Sequence, residues 1–295
     1  MTVRRTASAR WRSLKGRSSC APRRSCGRSV SAGNKAAIAL TLAAIGAVGC
    51  GKADEAPRAS NALAMAVAWK ETSAEYEALY LQGFNVAKMH VDRALRDGRR
   101  SLAVISDLDD TVLDTRDYWR EVLAADAQLF EDARWDVWVA KNKVRASPGA
   151  LDFLNFCRDS GVEVFYITSR DQGPMTMELA LGNLKAAGLP FADAEHLTVI
   201  TDSSDKEPRQ RQVAQSHDVA VYLGDNLNDF RRSYYVTDAQ RRRQRLAADR
   251  NEFGRRFILF PNPTDGHWIR AILGDSEPPP SQETLDRLHQ LIGRR

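Results

Sequence analysis

The residues able to do chemistry in this 295-residue chain stand where short apolar runs end. The run Ser101–Ser106 leads into Asp107-Leu108-Asp109-Asp110-Thr111. Alternate residues of an extended chain point the same way. Asp107 and Asp109 therefore project into one space, and Leu108 turns back toward a core. Two carboxylates so close repel unless a cation or a proton sits between them. A second run, Val162–Thr168, delivers Thr168 and is followed by Ser169 and Arg170. Lys206 comes after a third, Leu197–Thr201, and a fourth, Val219–Gly224, runs into Asp225-Asn226-Leu227-Asn228-Asp229. If that last segment turns into a helix, Asp225 and Asp229 share a face at its start. Together these are an acid pair, a hydroxyl, an ammonium and a second acid pair. Such oxygen ligands suit magnesium, which prefers carboxylates with water and phosphate. With the ion, Lys206 and Thr168 neutralising a phosphoryl group, Asp107 could attack phosphorus.

Blander readings compete for each residue. An Asp-rich turn is ordinarily a solvated loop or a helix cap, which is the reading for Asp110 and Asp114. Asp107 and Asp109 differ because an apolar strand delivers them and three other strand ends match. The five histidines, His90, His196, His217, His267 and His289, show no ligand spacing and read as structural or surface groups, with His267 able to approach the site.

These groups need a frame that brings strand ends together. The four runs and a fifth, Arg256–Phe260, read as buried strands. Helical patterns separate them: Ser147-Pro148 opens one, with Ser147 as cap and Pro148 at the first helical position. Met175–Ala187 and Lys206–Ser216 are others. Strands alternating with helices predict an α/β fold with a parallel sheet covered on both faces, and such sheets bind ligands beyond the carboxyl ends of their strands. Upstream, Ala62–Leu95 predicts two helices with Ala66, Trp69, Tyr76, Leu79 and Phe84 as buried candidates. The insert Asp114–Arg145, carrying Tyr118, Trp119, Phe130, Trp135 and Trp138, reads as a helical cap. For each of these aromatics core packing outweighs ligand stacking. A terminal helix is expected over Ser281–Leu291.

The formal charge of +5 points superficially to an acidic partner. Residues 1–50 hold ten Lys and Arg and no Asp or Glu, whereas the rest holds 33 basic and 38 acidic residues, a net of −5. The folded part is mildly acidic, so the charge gives no case for binding a nucleic-acid polymer. Ala36–Gly49 is an uncharged apolar run of 14 residues, short of the roughly 20 that span a membrane, behind a basic leader. That is the layout of a secretory signal. It ends Ala47-Val48-Gly49-Cys50, which resembles a lipobox and makes Cys50 the lipidation candidate. An ordinary signal peptide cleaved nearby is the alternative. Gly51–Asn61 reads as a tether. Of the four cysteines, Cys157 lies in a helical pattern and reads as a buried thiol.

DLDDT, the Thr of YITSR, Lys206 and GDNLND resemble the four motifs of the haloacid dehalogenase superfamily. They are closer still to its class C acid phosphatases of the lipoprotein e type. Trp69–Ala87, Trp135–Ala140, Arg145–Phe153 and RFILFPN followed by Gly266-x-Trp268 are similar to that family as well. The resemblance implies a Rossmann-like parallel sheet of the haloacid dehalogenase type over residues 62–275. N-terminal helices (62–98) precede it, a cap insert (114–147) interrupts it, and a tail helix follows (276–295). It implies a magnesium-dependent acid phosphatase acting on phosphomonoesters, especially nucleoside 5′-monophosphates. Asp107 would be the nucleophile and Asp109 the acid–base. Thr168 would bind phosphoryl oxygens and Lys206 would stabilise charge. Asp107, the backbone carbonyl of Asp109 and Asp225 would hold magnesium, with Asp229, Asn226 and Ser169 in support. A homodimer is implied too. Gly51 after Cys50 is not an inner-membrane retention signal, so the lipobox makes a bacterial outer-membrane lipoprotein, facing the periplasm or cell surface, the expectation. The family often carries an aromatic for base stacking before Gly266, where this chain has Asp265. The readings that compete are a ligand-binding surface lipoprotein without turnover, and a phosphotransferase.

Overall fold

The computed structural model describes residues 61, 63–279 and 281–293. The basic leader, the apolar run, Cys50 and nearly all of the tether lie outside the described residues. Among the described residues no helix is long and apolar enough to cross a membrane.

Two helices open the described chain, α1 (Leu63–Thr72) and α2 (Ala74–Arg96). Ser73 caps the second by accepting from the Tyr76 amide at 3.0 Å. Its buried stripe is Tyr76, Tyr80, Phe84, Ala87, Val91 and Ala94. Leu79, expected inside, is 41% exposed. The stripe advances mostly by four residues and leaves Leu79 to one side. Tyr80 and Phe84 lie against Phe260, with ring centroids 5.1 and 4.5 Å apart. The approach is so close that a Cβ on Gly83 would sit 2.5 Å from the Phe260 ring.

Strand β1 (Leu102–Ser106) is buried throughout. A short ribbon follows, β2 (Leu113–Asp114) paired antiparallel with β3 (Arg145–Ala146). Between its two strands residues 116–140 form α3 (Arg116–Ala124) and α4 (Asp132–Ala140), the region expected as a cap. Tyr118 is the hub of their packing, with Trp119, Phe130, Trp135 and Trp138 ringed around it at 5.0–5.9 Å. Helix α5 (Ala150–Asp159) begins later than Ser147-Pro148 suggested. Ser147 is still held in the ribbon, its amide donating to Val112 at 2.9 Å. Gly149, at φ 81°, makes the turn into the helix instead.

The chain continues through β4 (Glu163–Ser169), α6 (Thr176–Ala186), β5 (Leu197–Ile200), α7 (Glu207–Ser216), β6 (Asp218–Gly224), α8 (Ala239–Ala248), β7 (Phe257–Leu259), α9 (Trp268–Leu273) and α10 (Gln282–Gly293). Five strands form one sheet in the order β5-β4-β1-β6-β7, all parallel. The fold is thus α/β of the expected type. Alternate residues divide between its faces. Leu102, Val104, Val164, Tyr166, Val221 and Leu223 join the cluster of α2, α5 and α6. Ala103, Ile105, Phe165 and Ile167 meet Val213 of α7. After β5 the chain crosses β1 to build β6 on its other side, so a switch point lies beside β1, where open sheets receive ligands.

Candidate active site

Asp107 leaves the central strand as its ladder with β6 ends, its amide donating to Leu223 at 3.0 Å. Thr168 ends the buried part of β4 and is 1% exposed. Lys206 sits at the start of α7 and is buried. Asp225 follows β6. All four line one cavity of about 460 Å³. The site is therefore assembled from residues that neighbouring parallel strands release at one edge.

Lys206 joins two carboxylates. Its Nζ donates to Asp107 in a short ion pair and to Asp229 Oδ1 at 2.7 Å. Asp229 reaches it through a tight turn: residues 227–229 form a short 3-10 turn capped by Asn226, whose amide donates to Asp229 Oδ2 at 2.8 Å. The segment after β6 is therefore a 3-10 turn, not the helix that would have put Asp225 and Asp229 on one face. Gly224 is required for this return. A Cβ there would overlap the Asp229 side chain, standing 2.5 Å from Oδ2. Asn226 is also held by Arg242, at 2.9 Å. Asp225 accepts from Asn262 at 2.8 Å and from Thr111 at 3.3 Å.

Asp107, Asp225 and Asp229 each offer an oxygen within 4.8 Å of the others. One ammonium stands among three carboxylates, and the imbalance shows in the protonation of Asp107 and Asp225. Burial, with Asp229 adding to it, raises the pKa of Asp107 against the pull of Lys206. Burial and the neighbouring Asp229, Asp107 and Asp110 push Asp225 well above the ordinary carboxylate range. Burial opposes the charge on Lys206, but Asp107 and Asp229 outweigh it and hold its pKa high. A divalent cation would supply the missing positive charge, and an all-oxygen donor set fits a hard ion. Asp229, expected in support, holds Lys206 at 2.7 Å and offers an oxygen to the same acid cluster.

Asp109 lines the same cavity but its carboxylate turns to Arg170. The guanidinium donates through Nε to Oδ2 at 2.8 Å and through Nη2 to Oδ1 at 2.5 Å. Ser169 turns its hydroxyl to the Ser203 carbonyl at 2.8 Å, on the loop after β5. His267 lies in the cavity wall, facing the Tyr235 ring at 4.9 Å. Burial and the surrounding cations Lys206, Arg242, Arg232 and Arg270 push its pKa down to about 3, so it stays neutral.

Asp110 and Asp114 are not solvated. Asp110 is 3% exposed and accepts from Lys70 at 2.8 Å and Thr115 at 2.6 Å. Its own backbone is left-handed, at φ 51°, and its carbonyl accepts from Tyr80 at 2.5 Å. Asp114 is buried against Arg116 at 2.8 Å. These acids pin the loop that carries Asp107 and Asp109. Tyr118, Trp119 and Trp135 reach the cavity wall while remaining almost fully buried in the cap's own packing, and Trp138 stays inside it. Asn262 and Arg170 were missed as functional residues, although both follow strand ends, the signal that located the others.

A family model described as HAD superfamily, subfamily IIIB (acid phosphatase) matches residues 32–268. Two solved structures of the class C acid phosphatase from Bacillus anthracis, one with tungstate bound, are each 32% identical to this chain. Each covers 79% of this chain and 97% of its own length, with a TM-score of 0.72. With four strand ends converging on an acid cluster and a buried lysine, the chain belongs to the class C acid phosphatases of the haloacid dehalogenase superfamily and is a phosphomonoesterase.

Proposed function

We propose that this phosphomonoesterase is magnesium-dependent and works through an aspartyl-phosphate on Asp107. The observation that carries the reading is the Asp107–Lys206–Asp229 bridge beside Asp225, at the end of the central strand. Thr168 and Lys206 would bind the phosphoryl oxygens, and Lys206 would orient the Asp107 carboxylate. Asp107 attacks phosphorus as the ester bond breaks, and Asp109 gives its proton to the leaving alcohol oxygen. Asp109 then takes a proton from water, which attacks the phosphoaspartate and releases phosphate. Magnesium held by Asp107, Asp225, Asp229 and the backbone carbonyl of Asp109 would neutralise charge on the phosphoryl oxygens. The tungstate bound by the Bacillus anthracis enzyme is a tetrahedral oxyanion shaped like phosphate, which supports a phosphoryl pocket in this chain.

Nucleoside 5′-monophosphates are the first substrates to assay on the family likeness, with Asp265 in place of a stacking aromatic. Phosphate release from p-nitrophenyl phosphate and 5′-AMP, with magnesium or with EDTA and beside Asp107→Asn, tests the reading. Metal-dependent release that Asp107→Asn abolishes is expected. Release that survives either EDTA or Asp107→Asn would overturn the corresponding part, and no release at all would bring forward a binding lipoprotein. On the sequence alone, we also propose a lipid anchor on Cys50, an outer-membrane location and a homodimer.

A further inference from the structure

We infer that Arg170 is a positioning residue for the leaving-group step, locking the Asp109 carboxylate to the cap. This rests on the role of Asp109 proposed above. Arg170 is 5% exposed, and its planar guanidinium grips both Asp109 oxygens. A bidentate pair of this kind fixes the plane of a carboxylate as well as its distance. The arginine is itself held on two further sides. Its Nη1 donates to Asn183 Oδ1 of α6 at 2.9 Å, and its head lies 5.5 Å from the Trp135 ring of α4. Asn183 is 1% exposed and donates onward to the Val139 carbonyl at 2.9 Å and to Asn142 Oδ1 at 2.8 Å, both in the cap insert.

The chain Asp109–Arg170–Asn183 thus ties the acid to the far end of α4. Every link is polar and buried or partly buried, so the links specify one arrangement. When Asp109 carries the proton it delivers, the protonated oxygen gives up its guanidinium hydrogen bond while the other oxygen keeps its own, so the carboxyl stays aligned, and alignment is a large part of what an intramolecular group contributes. The guanidinium also faces the negative charge that appears on Asp109 as its proton moves to the leaving oxygen. The seating of the cap thus bears, through Asn183 and Arg170, on how the Asp109 carboxylate is held.

The role predicts a dependence on leaving group that a loss of packing would not produce. p-Nitrophenyl phosphate releases a stable phenolate and needs little help from an acid, whereas ethyl phosphate releases an alkoxide unless protonated. The comparison uses kcat/KM, which stops at the first irreversible step and so excludes the later water activation. The full chain in detergent is assayed with both esters as wild type, Arg170→Met, Arg170→Lys and Asn183→Ala. We expect Arg170→Met to lose at least about 10-fold more on ethyl phosphate than on p-nitrophenyl phosphate, a part of the roughly 10²–10⁴-fold that a general acid contributes. Arg170→Lys, which keeps the charge but not the fork, falls between, and Asn183→Ala shifts the same way by less. If Arg170→Met does not fold, the other two variants carry the test. Equal losses on both esters in every folded variant, or no loss, overturn the inference. A wild type inactive on both esters would overturn the phosphatase reading itself, a distinguishable result.

Discussion

Replacing Lys70 by Met removes the cation from a buried pair and leaves Asp110 without its partner beneath the loop that carries Asp107 and Asp109. The two side chains are 1% and 5% exposed and their atoms stand 2.8 Å apart. Breaking a buried pair from one side costs about 3–5 kcal/mol, because the remaining charge is left without its partner. Asp110 keeps the Thr115 hydroxyl at 2.6 Å, which places the expected loss near the lower end, at about 3 kcal/mol. Lys70 also donates to Thr264 at 3.0 Å, and that bond goes with it. For a domain of this size about 3 kcal/mol lowers Tm by roughly 6–12 °C. Asp110→Asn should cost a similar amount by stranding the ammonium. The double variant strands neither charge and should lose no more than either single change, giving a coupling energy of about 3 kcal/mol in a double-mutant cycle. Urea unfolding of the four proteins, followed by circular dichroism, measures this. A loss below about 1 kcal/mol in Lys70→Met would refute the reasoning, being what an exposed pair gives. So would additive losses in the double variant, since the two charges would then not be answering each other.

Two further outcomes are expected. Burial, aided by Asp110 and Asp109, raises the Asp265 pKa from its ordinary 3.8 to about 6. Between those values the folded protein holds a proton that the unfolded chain releases, so this group's contribution to stability is complete below the lower value and lost as pH rises through the upper. Asp265→Asn should therefore shrink the fall in unfolding free energy between pH 4 and pH 7 by about 2 kcal/mol, at 1.36 kcal/mol per unit less some screening through the open cavity; an unchanged pH slope would count against it. Cys50→Ser should shift the protein from the membrane to the soluble fraction, where light scattering reads whether it is a homodimer; membrane fractionation that persists would reject the anchor.

The edge that holds the site was legible because Asp107 and Asp225 directly follow apolar runs, Thr168 closes one and Lys206 lies a few residues beyond another, and period-two alternation says which way a residue at a strand end points. The same logic, applied to the last strand, leads to Asn262, whose amide holds Asp225. What escaped were partners distant in sequence. Asp107, Asp109 and Asp110 look alike in a row of acids, and nothing local says that Asp110 is buried against a lysine 40 residues upstream. The helix cap at Ser147 failed for a related reason, since the ribbon partner that holds it lies across the cap insert. Leu79 fits a loose helical pattern, but the face is chosen by Phe260, far away in the chain.

The ribbon of Leu113 with Ala146 and Asp114 with Arg145 brings both ends of the cap insert to the same rungs. The insert is therefore a parenthesis in the chain. The closure cost of such a loop varies only slowly with its length, but Tyr118, Trp119, Trp135 and Trp138 belong to the same core as the sheet, so the insert also fills space that the sheet needs filled. Strand ends carry the acid cluster and the buried lysine, and the parenthesis supplies much of the wall around them. A rewritten stretch of about thirty residues would still have to present Val139 and Asn142 to Asn183. The wall and the acid cluster are thus built from different parts of one fold and meet at several contacts, among them Arg170 with Trp135, Gln172 with Asp136 and Asn183 with Val139.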